Sequence, residues 1–197
     1  VLNASPFEVG KQAERKALIA RQSSTHKLPI IYVNTVGAQD DIVFDGGSIV
    51  SQADGEIAHE GARFLNQLIM ATFDASSGRF DTQAKPPRDF SEESQIYQAL
   101  VVGLRDYVNR SGFKGVIVGL SGGIDSALTL AIAVDALGAD KVYAVMMPYE
   151  YTSQMSLDDA AAQAARLNVS YTICPIHDAV AGLKSTLAPL FAGAAPD

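Results

Sequence analysis

Cysteine is almost absent: Cys174 stands alone in 197 residues. An intrachain disulfide and a CxxC metal or redox pair are therefore excluded, and a reducing compartment, the cytoplasm, is expected. Long apolar runs are missing as well. No stretch approaches the roughly 18 residues that a membrane-crossing helix requires, so no membrane partner is expected. The opening Val1-Leu2-Asn3-Ala4 has neither an initiator Met nor the basic-then-apolar pattern of a secretory signal. A segment of something longer is expected. Positive charge is scarce, with 15 Lys and Arg against 22 Asp and Glu, a net charge of -7. Binding a phosphate backbone needs clustered cations, and nucleic acid is not expected as a partner. His26, His59 and His177 lack the spacing of a metal site or triad and read as surface or structural. Asp40, Asp41 and Asp45 read as turn residues rather than an acid-base pair. Cys174 falls at the end of an expected buried strand and reads as packing, not as a nucleophile.

What is present divides the chain. Residues 74–93 (DASSGRFDTQAKPPRDFSEE) are poor in aliphatic side chains, and Pro86-Pro87 blocks helix continuation. That stretch reads as a linker between a first part, 1–73, and a second, 94–197. In the first part, Gly10 to Ser24 predicts a helix with Ala13, Ala17, Leu18 and Arg21 at helical spacing. Short β-prone runs follow at 29–35, 41–44, 48–52 and 56–59. Asp45-Gly46 and Asp54-Gly55 separate them, a dipeptide that favours tight hairpins because both central positions want positive φ. An antiparallel meander is expected.

The second part alternates. Ser94 to Asn109 predicts a helix with Ile96, Leu100, Val101, Leu104, Tyr107 and Val108 on one face. A strand at 115–120, a helix at 124–137 stopping at Gly138, and a strand at 142–147 come next. Ser156 is expected to cap a helix reaching Leu167, followed by a strand at 169–174 and a helix at 177–191. Strands alternating with helices imply an α/β fold with a parallel sheet. Three strands make about half of a doubly wound sheet, so this domain is expected to be cut.

Gly119-Leu120-Ser121-Gly122-Gly123-Ile124-Asp125-Ser126 lies where a strand ends and a helix begins, the position at which open α/β sheets bind ligands. Gly122 and Gly123 lack a Cβ, so the backbone can turn tightly and bring several N–H groups near an anion, which the helix N-terminus further favours. Ser121 and Ser126 could donate hydroxyl hydrogen bonds to the same oxygens. The bland alternative is an ordinary glycine turn in which Asp125 and Ser126 satisfy first-turn amides. No lysine occupies the loop, so it is not a Walker A sequence, and it does not fit GxGxxG.

The SGGxDS pattern resembles the PP-loop of the ATP pyrophosphatases. That resemblance implies an adenine nucleotide α hydrolase-like fold, cleavage of ATP to AMP and pyrophosphate, and magnesium held by Asp125. Met147-Pro-Tyr-Glu-Tyr151-Thr-Ser-Gln-Met-Ser156, with Asp158-Asp159-Ala160, resembles the MPxxYTSxxSxxDA stretch of NAD synthetases, which in that family lies by the adenine and ribose of ATP; Met147, Tyr151 and Ser156 are thereby implied in ATP binding. Asn3-Ala-Ser5-Pro-Phe-Glu-Val-Gly-Lys11 resembles the NASPFxxGK stretch of the nitrilase-type glutaminase domain that precedes the synthetase domain in glutamine-dependent NAD synthetases. Tyr32 to Ser48 resembles the same domain's YVNxVGGQDELVFDGGS, with departures at Ala38, Asp41 and Ile42.

By this resemblance, residues 1–73 are the end of a nitrilase-like αββα domain and residues 94–197 the first half of the synthetase domain. Ser5 and Lys11 are implied to contact glutamine, the lysine suiting its α-carboxylate. The implied enzyme is a ligase that amidates deamido-NAD to NAD through an adenylated intermediate, with ammonia from glutamine, as a homo-oligomer. Its glutaminase Glu, Lys and Cys are expected upstream of Val1, so the segment alone is expected to be inactive. Another PP-loop ligase, such as a tRNA-modifying enzyme, and a non-catalytic adenine-nucleotide-binding protein are the alternatives. Lack of CxxC and the 6 basic against 11 acidic residues of 91–197 weigh against the first.

Overall fold

The computed structural model describes residues 1–82 and 91–191. Pro86, Pro87 and the C-terminal residues 192–197 lie outside the described residues. Contacts divide the chain into two units, 1–111 and 112–197.

In the first unit, β1 (Leu2–Asn3) is followed by α1 (Lys11–His26), β2 (Ile30–Asn34), β3 (Val36–Gln39), β4 (Ile42–Asp45), β5 (Ile49–Ser51), β6 (Ile57–Glu60), β7 (Ala71–Asp74), β8 (Arg79–Thr82) and α2 (Glu92–Arg110). The expected meander is interrupted. The main sheet runs β1-β2-β5-β6, with β1 parallel to β2, and β3-β4 forms a separate hairpin inserted between β2 and β5. Asp54-Gly55 does turn β5 into β6, with Gly55 at φ 93° and Asp54 Oδ1 accepting from Glu56 N at 2.9 Å. Asp45-Gly46 does not make a two-residue hairpin, because β4 and β5 pair with different strands. Asp45 is no surface turn residue either: its side chain is fully buried between Arg15 and Arg63, at 2.8 Å from each.

That buried carboxylate explains a second departure. The buried face of α1 is Gln12, Arg15, Ile19 and Ser23, while the expected Ala13, Ala17, Leu18 and Arg21 are exposed. A buried charge must be paired and hydrogen-bonded, and the helix turns its polar side inward to meet Asp45. Only Ile19, with Tyr32 and Ile49, forms apolar core there.

Where the linker was expected to begin, residues 71–82 form the β7-β8 hairpin, with Asp74 accepting from Ser76 and Ser77 in the turn. Those bonds hold the Asp74 carboxyl down at about 2. Helix α2 starts behind the cap Ser91, whose side chain accepts from Ser94 N. It packs inside this first unit: Ala99 and Val102 join Phe64, with Phe7 and Val43 against them, and Asp106 Oδ2 accepts from Ala38 N at 2.9 Å. Its buried positions are Ala99, Val101, Val102 and Val108, whereas Ile96 and Leu100 are nearly half exposed.

The second unit is β9 (Val116–Gly119), α3 (Ile124–Leu137), β10 (Val142–Met146), α4 (Gln154–Arg166), β11 (Ser170–Ile173) and α5 (His177–Leu187), the last ending in a 3-10 turn, Ala188–Phe191. The strands form an all-parallel sheet in the order β11-β10-β9. Side chains alternate across a strand, so Val118 and Leu120 from the β9 line and Val142, Ala144 and Met146 from β10 fall on one face. All five are buried, as are Leu130, Ala133, Ala136 and Leu137 of α3 and Ala160 and Ala164 of α4. Full burial of a side chain such as Leu130 contributes about 1.5–3 kcal/mol. Helix α3 ends at Gly138 as expected, at φ 86° but ψ 150°, outside the left-handed helical well. Cys174 is exposed, contrary to its reading as buried packing: β11 is the edge strand of the described sheet, and Ser170, Thr172 and Ile173 are exposed as well. Among the described residues no helix is long and apolar enough to cross a membrane.

Candidate functional site

Strand β9 ends at Gly119 because the chain must leave the sheet there. Leu120 N still donates to Val145 O at 2.9 Å and its side chain is 1% exposed, so it anchors the loop. Beyond it the chain is on the surface. Gly122 takes φ 79°, and a Cβ on it would lie 2.7 Å from Ser156 Cα and closer still to the Ser156 carbonyl. The glycine turn thus rests directly on the first turn of α4, which joins the SGGIDS loop to the MPYEYTSQMS segment. Gly119, Leu120, Ser121, Met147 and Thr152 line one shallow cleft beside this contact.

Helix α3 begins at Ile124 behind Gly123, with no side-chain cap. By contrast α4 is capped: Ser153 Oγ accepts from Ser156 N at 3.1 Å. Ser153, not Ser156, is therefore the cap, and the helix starts three residues before the expected position. An uncapped first turn leaves N–H groups without partners and a partial positive charge at its end. The Asp125 side chain, exposed at this turn, does not cap it. The two serines tie the loop to itself instead of projecting outward. Ser126 Oγ accepts from Ser121 N at 3.1 Å, donates to Gly123 O at 3.0 Å and sits 3.0 Å from Ser121 Oγ, which accepts from Gly123 N. Ile124 is 80% exposed and Tyr151 86% exposed. Tyr151 stands edge-on to Tyr149 at 5.7 Å.

Tyr149 carries contacts that sequence reading missed. His177 lies 5.0 Å from its ring, and Lys184 donates to its hydroxyl at 3.2 Å. The Tyr149 hydroxyl beside it pushes the Lys184 ammonium above its ordinary value. Both partners come from α5, so only the tertiary fold brings them to the loop after β10. Among the described residues no group of three or more His, Cys, Asp or Glu could hold a metal ion.

The other expected positions, Ser5 and Lys11, belong to the first unit. Asn34 grips Ser5 by both backbone groups: Oδ1 accepts from Ser5 N at 2.8 Å and Nδ2 donates to Ser5 O at 3.2 Å. Lys11 is the first residue of α1 and pairs with Glu8 at 3.1 Å. Arg15, four residues on and so on the same helix face, donates through Nε to Ser5 Oγ at 3.1 Å. Arg15, Asp45 and Arg63 form a buried ionic cluster that no sequence signal announced, since the three are scattered along the chain and Asp45 reads as a turn residue.

A three-stranded parallel sheet with helices, ending in a glycine turn and a helix N-terminus without a side-chain cap, defines an α/β protein. Residues 96–192 match the NAD synthase family model. The chain is 50% identical over 197 residues to a glutamine-dependent NAD(+) synthetase of Acinetobacter baylyi, covering 100% of this chain and 36% of that relative. A solved glutamine-dependent NAD+ synthetase from Acinetobacter baumannii, in complex with adenosine diphosphate, superposes with a TM-score of 0.94 at 50% identity, covering 100% of this chain and 38% of that one. The corresponding enzyme of Cytophaga hutchinsonii shares the fold at a TM-score of 0.78, with 18% identity over 97% of this chain and 38% of its own. The chain thus spans little more than a third of the length of the relatives it matches.

Proposed function

We propose that this chain is the middle portion of a glutamine-dependent NAD+ synthetase, the end of a nitrilase-like glutaminase domain followed by the first half of a PP-loop synthetase domain. The observation that carries the reading is the exposed, uncapped start of α3 behind Gly122, seated against Ser156. Amides already aimed outward cost no reorganisation when charge develops beside them, which is the usual source of the largest catalytic term. The ADP bound by the Acinetobacter baumannii relative supports an adenine nucleotide here.

ATP lies with its phosphates at residues 121–126 and its nucleoside toward Met147, Tyr151 and Ser156. A carboxylate oxygen of deamido-NAD attacks the α-phosphorus, and the bond to the pyrophosphate oxygen breaks. Ammonia then attacks the adenylated carbon; AMP leaves with the bonding pair and a proton is lost, giving the amide of NAD. The N–H groups of Gly122, Ile124 and Asp125 hold the departing pyrophosphate, while that of Gly123 is taken by Ser121 Oγ. One exposed carboxylate together with substrate phosphates suits magnesium, which prefers few protein ligands; Asp125 would hold the ion, which supplies charge neutralisation on pyrophosphate. Ammonia comes from glutamine bound through Ser5 and Lys11 in the first unit.

In the full-length protein, Asp125→Ala is expected to abolish pyrophosphate release with ammonia as nitrogen donor. Unchanged pyrophosphate release would overturn the assignment of the loop. A protein that holds ATP and never releases pyrophosphate, even unmutated, would be a binding module rather than a ligase.

A further inference from the structure

Arg15 is 6% exposed, and all five of its N–H donors are engaged. Nε donates to Ser5 Oγ at 3.1 Å; Nη2 donates to Ser5 O at 3.0 Å and Pro6 O at 2.7 Å. Nη1 donates to Asp45 Oδ1 at 2.8 Å and to Gln12 Oε1 at 3.2 Å. Three of the five contacts therefore fall on residues 5 and 6, and the other two anchor the guanidinium from behind. Asp45, fully buried, is itself fixed from the far side by Arg63 Nε at 2.9 Å.

The direction of one bond matters. A serine hydroxyl has a single hydrogen and two lone pairs. Arg15 can only donate, so Ser5 Oγ is the acceptor in their contact. The hydroxyl hydrogen is left for some other acceptor, and among the described residues none receives it. Ser5 is partly exposed, and Lys11 sits one turn before Arg15 on the same face of α1.

We propose that Arg15 is a positioning residue for glutamine: held by Asp45 and Gln12, it fixes the backbone of Ser5 and Pro6 and turns the Ser5 hydroxyl into a donor aimed at an acceptor oxygen of the substrate. This rests on the reading of Ser5 as a glutamine contact. A lysine at position 15 keeps the charge opposite Asp45, but its three donors on a flexible stem cannot make the planar set of five.

The test compares wild type, Ser5→Ala, Arg15→Lys and the double variant in the full-length protein, with glutamine and with ammonia as nitrogen donors. Arg15→Lys is expected to raise the KM for glutamine about tenfold, the effect of losing one good hydrogen bond, with ammonia-dependent synthesis unchanged. Because Arg15 acts through Ser5, the double variant is expected to match Ser5→Ala rather than multiply the two effects. If Ser5→Ala raises the glutamine KM while Arg15→Lys does not, or if the two effects multiply, the positioning role is overturned and the glutamine reading survives. If Ser5→Ala leaves glutamine use untouched, the glutamine reading itself falls, and the proposal with it. Should ammonia-dependent synthesis be lost in Arg15→Lys, Gln12→Leu replaces it. That variant removes one anchor and is expected to raise the glutamine KM about threefold, only when Ser5 is present; no rise would overturn the proposal.

Discussion

Gly122 and Gly123 are neighbours in one loop, yet they answer to different constraints. Gly122 holds φ 79° against the first turn of α4, where any side chain meets Ser156 backbone. Gly123 has an extended φ of -87°, and a Cβ there would meet only Ser121 Oγ, at 3.4 Å. Alanine at 122 must pay about 1–2 kcal/mol for the left-handed conformation and must also displace α4 or the loop. Gly122→Ala is therefore expected to lower the melting temperature of the full-length protein by about 5 °C. It should also cut ATP-dependent synthesis about 100-fold, as a displacement near 1 Å can do. Gly123→Ala should leave the melting temperature within about 1 °C. Differential scanning calorimetry of the two variants side by side checks the contrast; equal shifts would mean that packing against Ser156 is unimportant.

At the scale of elements, local signals carried far in the second unit and less far in the first. The span of α3 and its stop at Gly138 were legible, because an apolar helical repeat ending in glycine has one local solution. The α4 cap was displaced from Ser156 to Ser153, since both serines can cap and the choice depends on how Thr152 closes the loop onto Tyr149 at 2.9 Å and 3.0 Å. In the first unit the polar face of α1 was illegible. Nothing local says that Asp45, beside a glycine, is buried 30 positions from Arg15. Likewise the SGGIDS and MPYEYTSQMS segments could each be read along the chain, but the seat of Gly122 on Ser156 and the approach of His177 and Lys184 to Tyr149 exist only in the fold.

His59 on β6 shows the same limit and gives a testable consequence. It is 4% exposed beside Val50, and its Nε2 has no partner among the described residues. Burial depresses its pKa below the ordinary 6.5, and the neighbouring Glu60 opposes this only in part. The unfolded chain then takes up the proton at higher pH than the folded one. His59 thus favours the fold above pH 6.5, and stability is lost as pH falls from that value through the lower folded pKa. The melting temperature of the full-length protein is expected to drop between pH 7 and pH 5, by a smaller margin in His59→Gln. An identical drop in the variant would assign the effect to other groups.

For the whole molecule, the two expected chemistries are carried by different compact units: Ser5 and Lys11 by residues 1–111, the 119–126 loop by residues 112–197. If the proposed function holds, damage to one unit's chemistry should be separable from damage to the other's by choosing the nitrogen donor. Lys11 is one-third exposed and its pair with Glu8 lies at the surface, where such pairs contribute little to stability, so Lys11→Ala should fold normally. Losing a charge-assisted contact worth about 1.5–3 kcal/mol corresponds to a rise in the glutamine KM of about 10- to 100-fold. Synthesis from ammonia should stay within about twofold of wild type, since the bond lost is not made by that donor. Asp125→Ala should fail with both donors alike. Steady-state kinetics of the two variants in the full-length protein, each run with glutamine and then with ammonia, give four measurements. Equal loss from Lys11→Ala with both donors would place that lysine outside the nitrogen-supplying chemistry, and with it the claim that the first unit belongs to a glutaminase.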